Sequence, residues 1–158
     1  LGIRKILPEN IELISGPGCP VCVTPVDFID EAIYLALEKG VTVCTFGDLI
    51  RVPGTKMSLG EARAEGADVK IVYTPLDAVT IARENPEKQV AFLAVGFETT
   101  TPAVCLAVKK AKEAQLDNFS VLTANKTMLS GAERQRGRVP LSRACKRHYR
   151  RGGMPEAG

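Results

Sequence analysis

Five short, nearly continuous apolar runs recur along the chain: IELIS at 11–15, VTVCTF at 41–46, VKIVY at 69–73, QVAFLAV at 89–95 and FSVLTA at 119–124. Their length and β-branched content read as strands buried on both faces, which is the pattern of a parallel sheet. Helix-length segments lie between them. In 26–39, Phe28, Ile29, Ala32, Ile33, Leu35, Ala36 and Leu37 recur at helical spacing, and Gly40 supplies the stop. Residues 58–65 open on Ser58 with Glu61 three positions later, a capping-box pattern, and 76–84 and 102–115 complete the set. Strand–helix alternation at a spacing of roughly 25 residues predicts the α/β class: a mostly parallel sheet with helices on both faces, built from Rossmann-like βα repeats.

Three junctions read Thr-Pro (Thr24-Pro25, Thr74-Pro75, Thr101-Pro102), each just before a helical segment. Thr suits the N-cap and Pro the first helical position. In a parallel sheet those helix starts emerge together at the carboxyl ends of the strands, where open α/β folds hold their ligands. Free N–H groups and helix dipoles there favour an anion or a thiolate. Taken one at a time, each junction is equally readable as a plain helix start.

Length and composition narrow the class. The chain has 158 residues, 45% hydrophobic and 25% charged, which is enough for one globular domain with a packed core. No apolar run is long enough to span a bilayer, and the first residues do not form a secretory signal, so a cytoplasmic protein is expected. The chain begins at Leu1 rather than Met and reads as a fragment. The formal charge of +3 hides an asymmetry. Residues 129–158 hold eight Lys/Arg against two acids, which leaves 1–128 at a net of −3. An α/β domain over 1–128 followed by a disordered basic tail over 129–158 is therefore expected.

Five cysteines without a secretory signal point to reduced thiols with redox or metal chemistry. Cys44 and Cys105 lie in apolar runs and read as small buried hydrophobes. Cys19 and Cys22 are different. They sit in GPGCPVCVTP (16–25), a Gly- and Pro-rich segment between a strand and a helix, where two thiols can close a disulfide or share a metal. Structural zinc is weakly supported, since the only histidine is His148. In TFGDLIRVPGT (45–55), Asp48 and Arg51 either pair with each other or face a ligand. In AVGFETTTP (94–102), Glu98 suits a general base or acceptor, with Thr99 and Thr100 as hydroxyl donors; the other reading is an ordinary Thr-rich helix start. Asn125 and Lys126 reach the same edge of the sheet, but the pair is unspecific. No phosphate-binding glycine loop and no nucleophile elbow occurs.

Together, and in this order and spacing, GPGCPVCVTP, TFGDLIRVPG and AVGFETTTP resemble the HypD family of hydrogenase maturation factors, over roughly residues 3–128. The resemblance implies α/β domains and a scaffold that helps assemble the Fe(CN)2(CO) group of NiFe-hydrogenases with a small HypC-like chaperone and a HypE-like cyanide donor. It implies a 4Fe-4S cluster in full-length members. It also implies that Cys19 and Cys22 are a redox-active pair that can contact the metal, and that Asp48, Arg51, Glu98, Thr99 and Thr100 line a central cleft. The family's upstream Cys-Gly-Thr-His-Thr motif would precede Leu1, and its distal cluster cysteines are absent. The expectation is thus that this chain holds no 4Fe-4S cluster and is inactive alone. No membrane or nucleic-acid partner is implied.

The tail has its own reading. With synonymous codons chosen to suit, DNA encoding 137–158 read one base later gives GFLCPGHVSVIIGAEACLKP, which contains a segment the family carries downstream. A frameshift near 129–136 would then account for the abrupt charge switch. Two functions of other classes follow from the residues alone. One is a free-standing thiol-disulfide oxidoreductase using the Cys19/Cys22 pair, and the other is a nucleic-acid binder acting through the basic tail.

Overall fold

The computed structural model describes residues 6–8 and 19–126. The run at 11–15, Gly16 to Gly18, Cys145, His148 and the whole tail at 129–158 lie outside the described residues. Helix α1 (Val26–Leu37) leads into strand β1 (Thr42–Thr45), then α2 (Leu59–Ala64), β2 (Val69–Ile71), α3 (Pro75–Glu84), β3 (Val90–Ala94), α4 (Thr101–Glu113) and β4 (Phe119–Thr123). Two 3-10 turns, Val21–Val23 and Leu49–Arg51, precede α1 and follow β1.

The four strands form one all-parallel sheet in the order β2-β1-β3-β4. The chain runs outward from β1 to β2, then crosses back to β3 on the other side of β1. That reversal makes the carboxyl ends of β1 and β3 the topological switch point, at which open α/β sheets bind ligands. Helices cover both faces, as the near-continuous strands predict.

Burial follows position in the sheet. All residues of β1 and β3 are buried, because these central strands are covered above and below. Edge strand β2 buries only Val69, and β4 stays half-exposed. On one face α1 sets Phe28, Ile29, Ala32, Ile33 and Ala36 against Val43, Val69, Leu93 and Val95, with Leu59 and Ala62 of α2. On the other, Ala78 and Ala82 of α3 meet Cys44, Val90, Phe92 and Ala94, and Phe46 stands edge-on to Phe92 at 5.4 Å. Ala107 and Ala111 of α4 pack beside Val79.

Several local expectations hold and two are corrected. Ser58 and Glu61 form the expected capping box, and Thr74 with Asp77 forms a second, with Pro75 at the first helical position. Gly40 stops α1 with a φ of +62°, a conformation that favours glycine. Thr24 and Thr101, however, are not N-caps. Pro25 occupies that place in α1, and Thr24 donates instead to the Pro20 carbonyl at 3.0 Å. In α4 the N-cap is Thr100, which shifts Thr101 into the helix. Cys105 is the second correction, since it is exposed. The buried positions of α4 are Ala107 and Ala111, and Cys105 falls off that stripe because a helix turns by about 100° per residue. Cys44 is buried as expected, and loss of hydration pushes its thiol up to about 12.

The amino ends of the strands are tied by polar side chains that satisfy one another. Thr42 donates to Asp68 at 2.8 Å, and Lys88 donates to the same carboxylate at 3.1 Å. The Asn118 amide, buried at the start of β4, donates to the carbonyls of Ala82 (2.9 Å), Asn85 (3.0 Å) and Lys88 (2.9 Å), fastening β4 to the end of α3. Nothing in the sequence pattern marks Asn118 for this role.

Candidate functional site

The three motifs converge on the carboxyl edge of the sheet because each follows a parallel strand or opens a helix that runs back along one. The described part of the first begins with Cys19 and Pro20, continues through the Val21–Val23 turn, and is closed by the Thr24 N–H donating to the Val21 carbonyl at 3.1 Å. Val21 tucks against the core under α1, so the turn is seated while its sulfurs stay accessible. Cys19 is half-buried and Cys22 exposed.

The turn makes the two thiols unequal. The Cys22 N–H donates to the Cys19 sulfur at 3.4 Å. The Cys22 thiol also donates to it, and these donors hold the Cys19 pKa below the ordinary thiol value. The same bond, with Cys22 as the proton holder, raises Cys22. The turn thus shifts the two thiols in opposite directions, Cys19 down and Cys22 up. The negative charge of Asp48 opposes this at Cys19, which also shows that the β1 loop comes close to the thiol turn.

That β1 loop is held from below. Leu49 is buried in the core under α1, leaving Asp48 and Arg51 exposed on either side of it. Among the described residues no ion pair joins Asp48 to Arg51. Further on, Asp30 of α1 accepts from the Thr55 hydroxyl at 2.6 Å and the Thr55 N–H at 2.7 Å. Those bonds keep the Asp30 carboxyl below its usual range. Gly54 passes so close that a Cβ there would lie 2.5 Å from Asp30 Oδ1 and 2.7 Å from the Met57 carbonyl, so no side chain fits. Asp30 thus locks the second motif onto the helix that carries the first. Sequence reading missed it, since one acidic residue on an amphipathic helix carries no distinguishing pattern.

The third motif opens α4. Glu98, Thr99 and Thr100 are exposed. The Thr100 and Thr101 hydroxyls both donate to the Phe97 carbonyl, at 2.9 and 3.2 Å, so two threonines shape the turn. Gly96 packs under Thr100, with a would-be Cβ 2.9 Å from Thr100 Cβ. Beside it, Asn125 Nδ2 donates to Thr101 Oγ1 at 3.3 Å, while Asn125 Oδ1 is buried with no partner. Lys126, which the sequence placed at this edge without further distinction, is only 6% exposed.

The edge thus sets the Cys19/Cys22 turn near the loop after β1, close enough for the charge of Asp48 to act on Cys19, while Glu98, Thr99 and Thr100 follow β3. Two thiols supply two metal donors, and a closed tetrahedral centre takes four. Among the described residues no three His, Cys, Asp or Glu side chains converge, so these residues do not by themselves build a resident metal centre. Nor is any helix among them long and apolar enough to cross a membrane.

Fold and edge define a class: a doubly wound α/β domain with a Cys-x-x-Cys turn near the carboxyl edge of its parallel sheet. Comparison with known proteins narrows it. The HypD family model, described as the Hydrogenase formation hypA family, matches residues 1–134, and the chain belongs to that family. It is 54% identical over 122 residues to the hydrogenase maturation factor HypD of Cupriavidus necator, covering 77% of this chain and 32% of that protein. It is 47% identical over 128 residues to HypD of Escherichia coli, covering 81% of this chain and 34% of the relative. A putative hydrogenase expression/formation protein of Methanocaldococcus jannaschii is 46% identical over 125 residues, 79% of this chain and 35% of its own. The chain spans about a third of the length of these curated relatives.

Proposed function

We propose that this domain serves hydrogenase maturation as part of a cytoplasmic scaffold, with Cys19 and Cys22 as its thiol/disulfide couple. What supports the reading is the family match together with a turn in which the Cys22 N–H donates to the Cys19 sulfur at 3.4 Å. The acidified Cys19 is the attacking or metal-contacting sulfur, and Cys22 is the resolving one. Closing the Cys19–Cys22 bond releases two protons and two electrons, and reopening it takes them up, so the pair can exchange electrons with cargo or partner.

In this reading the iron is cargo, carried as an Fe(CN)2(CO) intermediate. Asp48 and Arg51 orient it, while Glu98, Thr99 and Thr100 offer an acceptor and hydroxyls from the opposite wall. A crevice edged by protein dipoles keeps such a group away from bulk water. A HypC-like chaperone and a HypE-like cyanide donor are the partners. A 4Fe-4S cluster, which the family resemblance implies for full-length members, is not part of this proposal.

The test is differential alkylation of the oxidised chain followed by peptide mass spectrometry. A Cys19–Cys22 linkage is expected, abolished by Cys19→Ser, with Cys44 unreactive in both states. Finding both thiols free after oxidation refutes the redox assignment. Co-purification with a HypC-like chaperone, weakened by Cys19→Ser or Asp48→Ala, tests the scaffold role. Rapid catalytic turnover of a disulfide substrate by the chain alone would replace this reading with that of a free-standing oxidoreductase.

A further inference from the structure

We propose that Asp30 is a positioning residue: by gripping Thr55 it fixes the β1 loop, and with it Asp48 and Arg51, in one orientation beside the Cys19/Cys22 turn, a role that rests on reading that turn as functional. Asp30 lies one turn in from the start of α1. The thiol turn is fastened to that same start. The Thr24 N–H donates to the Val21 carbonyl at 3.1 Å, its hydroxyl donates to the Pro20 carbonyl at 3.0 Å, and the Phe28 N–H donates to the Pro25 carbonyl at 3.1 Å. The turn and Asp30 therefore move as one body.

The β1 loop has no such rigidity of its own. Between β1 and the Ser58 cap of α2 the chain crosses residues 46–57 with one short 3-10 turn and a single bridge, Pro53 to Ser58. Its apolar anchors, Leu49, Ile50, Val52 and Met57, pack on the core that also seats Val21. Apolar burial is non-directional, so these contacts set how deep the loop sits and leave its rotation open. Asp30 supplies the direction. One carboxylate oxygen takes the Thr55 hydroxyl at 2.6 Å and the other the Thr55 N–H at 2.7 Å, the short, charge-assisted kind of hydrogen bond. Gly54 leaves room for this grip, since a Cβ there would meet Asp30 Oδ1 at 2.5 Å. The capping pairs Ser58–Glu61 and Thr74–Asp77 join residues three apart and shape only a helix start. Asp30 and Thr55 are 25 residues apart and join one motif to another. Asp30 is half-buried and Thr55 exposed, so the core does not depend on the pair. What the pair decides is where the loop stands, and Asp48 stands close enough for its charge to act on Cys19.

The test measures that placement directly in the full 158-residue chain. In a Cys22→Ser, Cys105→Ser background, Asp48→Cys introduces a thiol on the loop, and its linkage to Cys19 by a short bifunctional maleimide is followed by peptide mass spectrometry. Rapid linkage is expected. Adding Asp30→Ala should slow it by about tenfold or more, because the effective concentration of one thiol at the other falls when the loop swings free. Adding Thr55→Ser, which keeps the hydroxyl and the N–H, should leave it within a few-fold of the parent. Cys44, buried in β1, stays unreactive wherever the fold is intact and so reports unfolding. Should Asp30→Ala unfold, Asp30→Asn and Thr55→Val decide by the same comparison. Equal linkage rates with and without the grip, or no linkage in the parent, overturn the proposal. The Cys19–Cys22 disulfide is read separately in the otherwise unaltered chain and in Asp30→Ala, where it should form in both. Its absence from the unaltered chain would sink the thiol reading, whereas the linkage rates judge Asp30.

Discussion

The two edges of the sheet treat polar side chains in opposite ways. At the amino edge Thr42, Asp68 and Lys88 close on one another, and the Asn118 amide is shared among three carbonyls. At the carboxyl edge Asn125 Oδ1 is buried unpartnered, and the Cys19 sulfur accepts from the Cys22 N–H in an accessible turn. The lesson is that polar groups which satisfy one another hold a fold together, whereas the edge that bears the three motifs leaves Asp48, Arg51, Glu98, Thr99 and Thr100 exposed. Stability should concentrate at the first edge and reactivity at the second.

The largest effect is expected from Asn118→Ala, which strips three carbonyls of their donor. A loss of about 2–3 kcal/mol in chemical denaturation is expected, against under about 1 kcal/mol for Asn125→Ala, whose single contact is long. Equal losses would erase the contrast between the edges. Gly96→Ala comes next. The new methyl collides with Thr100, so overpacking should cost about 1–3 kcal/mol and displace the start of α4, visible as amide shifts through Glu98, Thr99 and Thr100. A neutral outcome would mean that α4 begins elsewhere.

Acid offers a gentler test. Asp30, Glu61 and Asp77 are held below their ordinary values of 3.8, 4.5 and 3.8, by Thr55 for the first and mainly by the Ser58 and Thr74 N–H groups for the others. Each binds fewer protons folded than unfolded. Their contribution is therefore complete above those ordinary values and is lost as pH falls through the lower, folded ones. Melting temperature should be level from neutral pH to about 5 and then decline, with the decline shallower in Asp30→Asn. The smallest effect is at the thiols. Asp48→Asn removes a negative charge facing Cys19, so its pKa falls further and its alkylation near neutral pH quickens modestly. A slower reaction would show that Asp48 acts on Cys19 through something other than charge.

Much of this was legible in the chain before folding. Continuous apolar runs announced β1, β3 and the parallel class, and the Ser58 and Thr74 caps stood where local chemistry demands them. The motif residues were recognisable as candidates because Cys-x-x-Cys beside Gly and Pro is rare outside chemistry. Asp30 and Asn118 were not legible in their roles. An aspartate on a helix and an asparagine before a strand are ordinary local choices. Only partners 25 to 36 residues away reveal them. Cys105 shows the reverse error, where an apolar neighbourhood in sequence became an exposed helix face.

By itself, then, the sequence determined what is local: periodicity, caps, turns, and the family to which its motifs are similar. The tertiary structure decided what is relational. Parallel pairing in the order β2-β1-β3-β4 carried three motifs from distant positions to one edge. There the Cys22 donors lowered Cys19, while deep burial in the same sheet raised Cys44 to about 12. Both are the same thiol in the sequence, and hydration, neighbouring donors and charge, all properties of three-dimensional placement, shifted them in opposite directions.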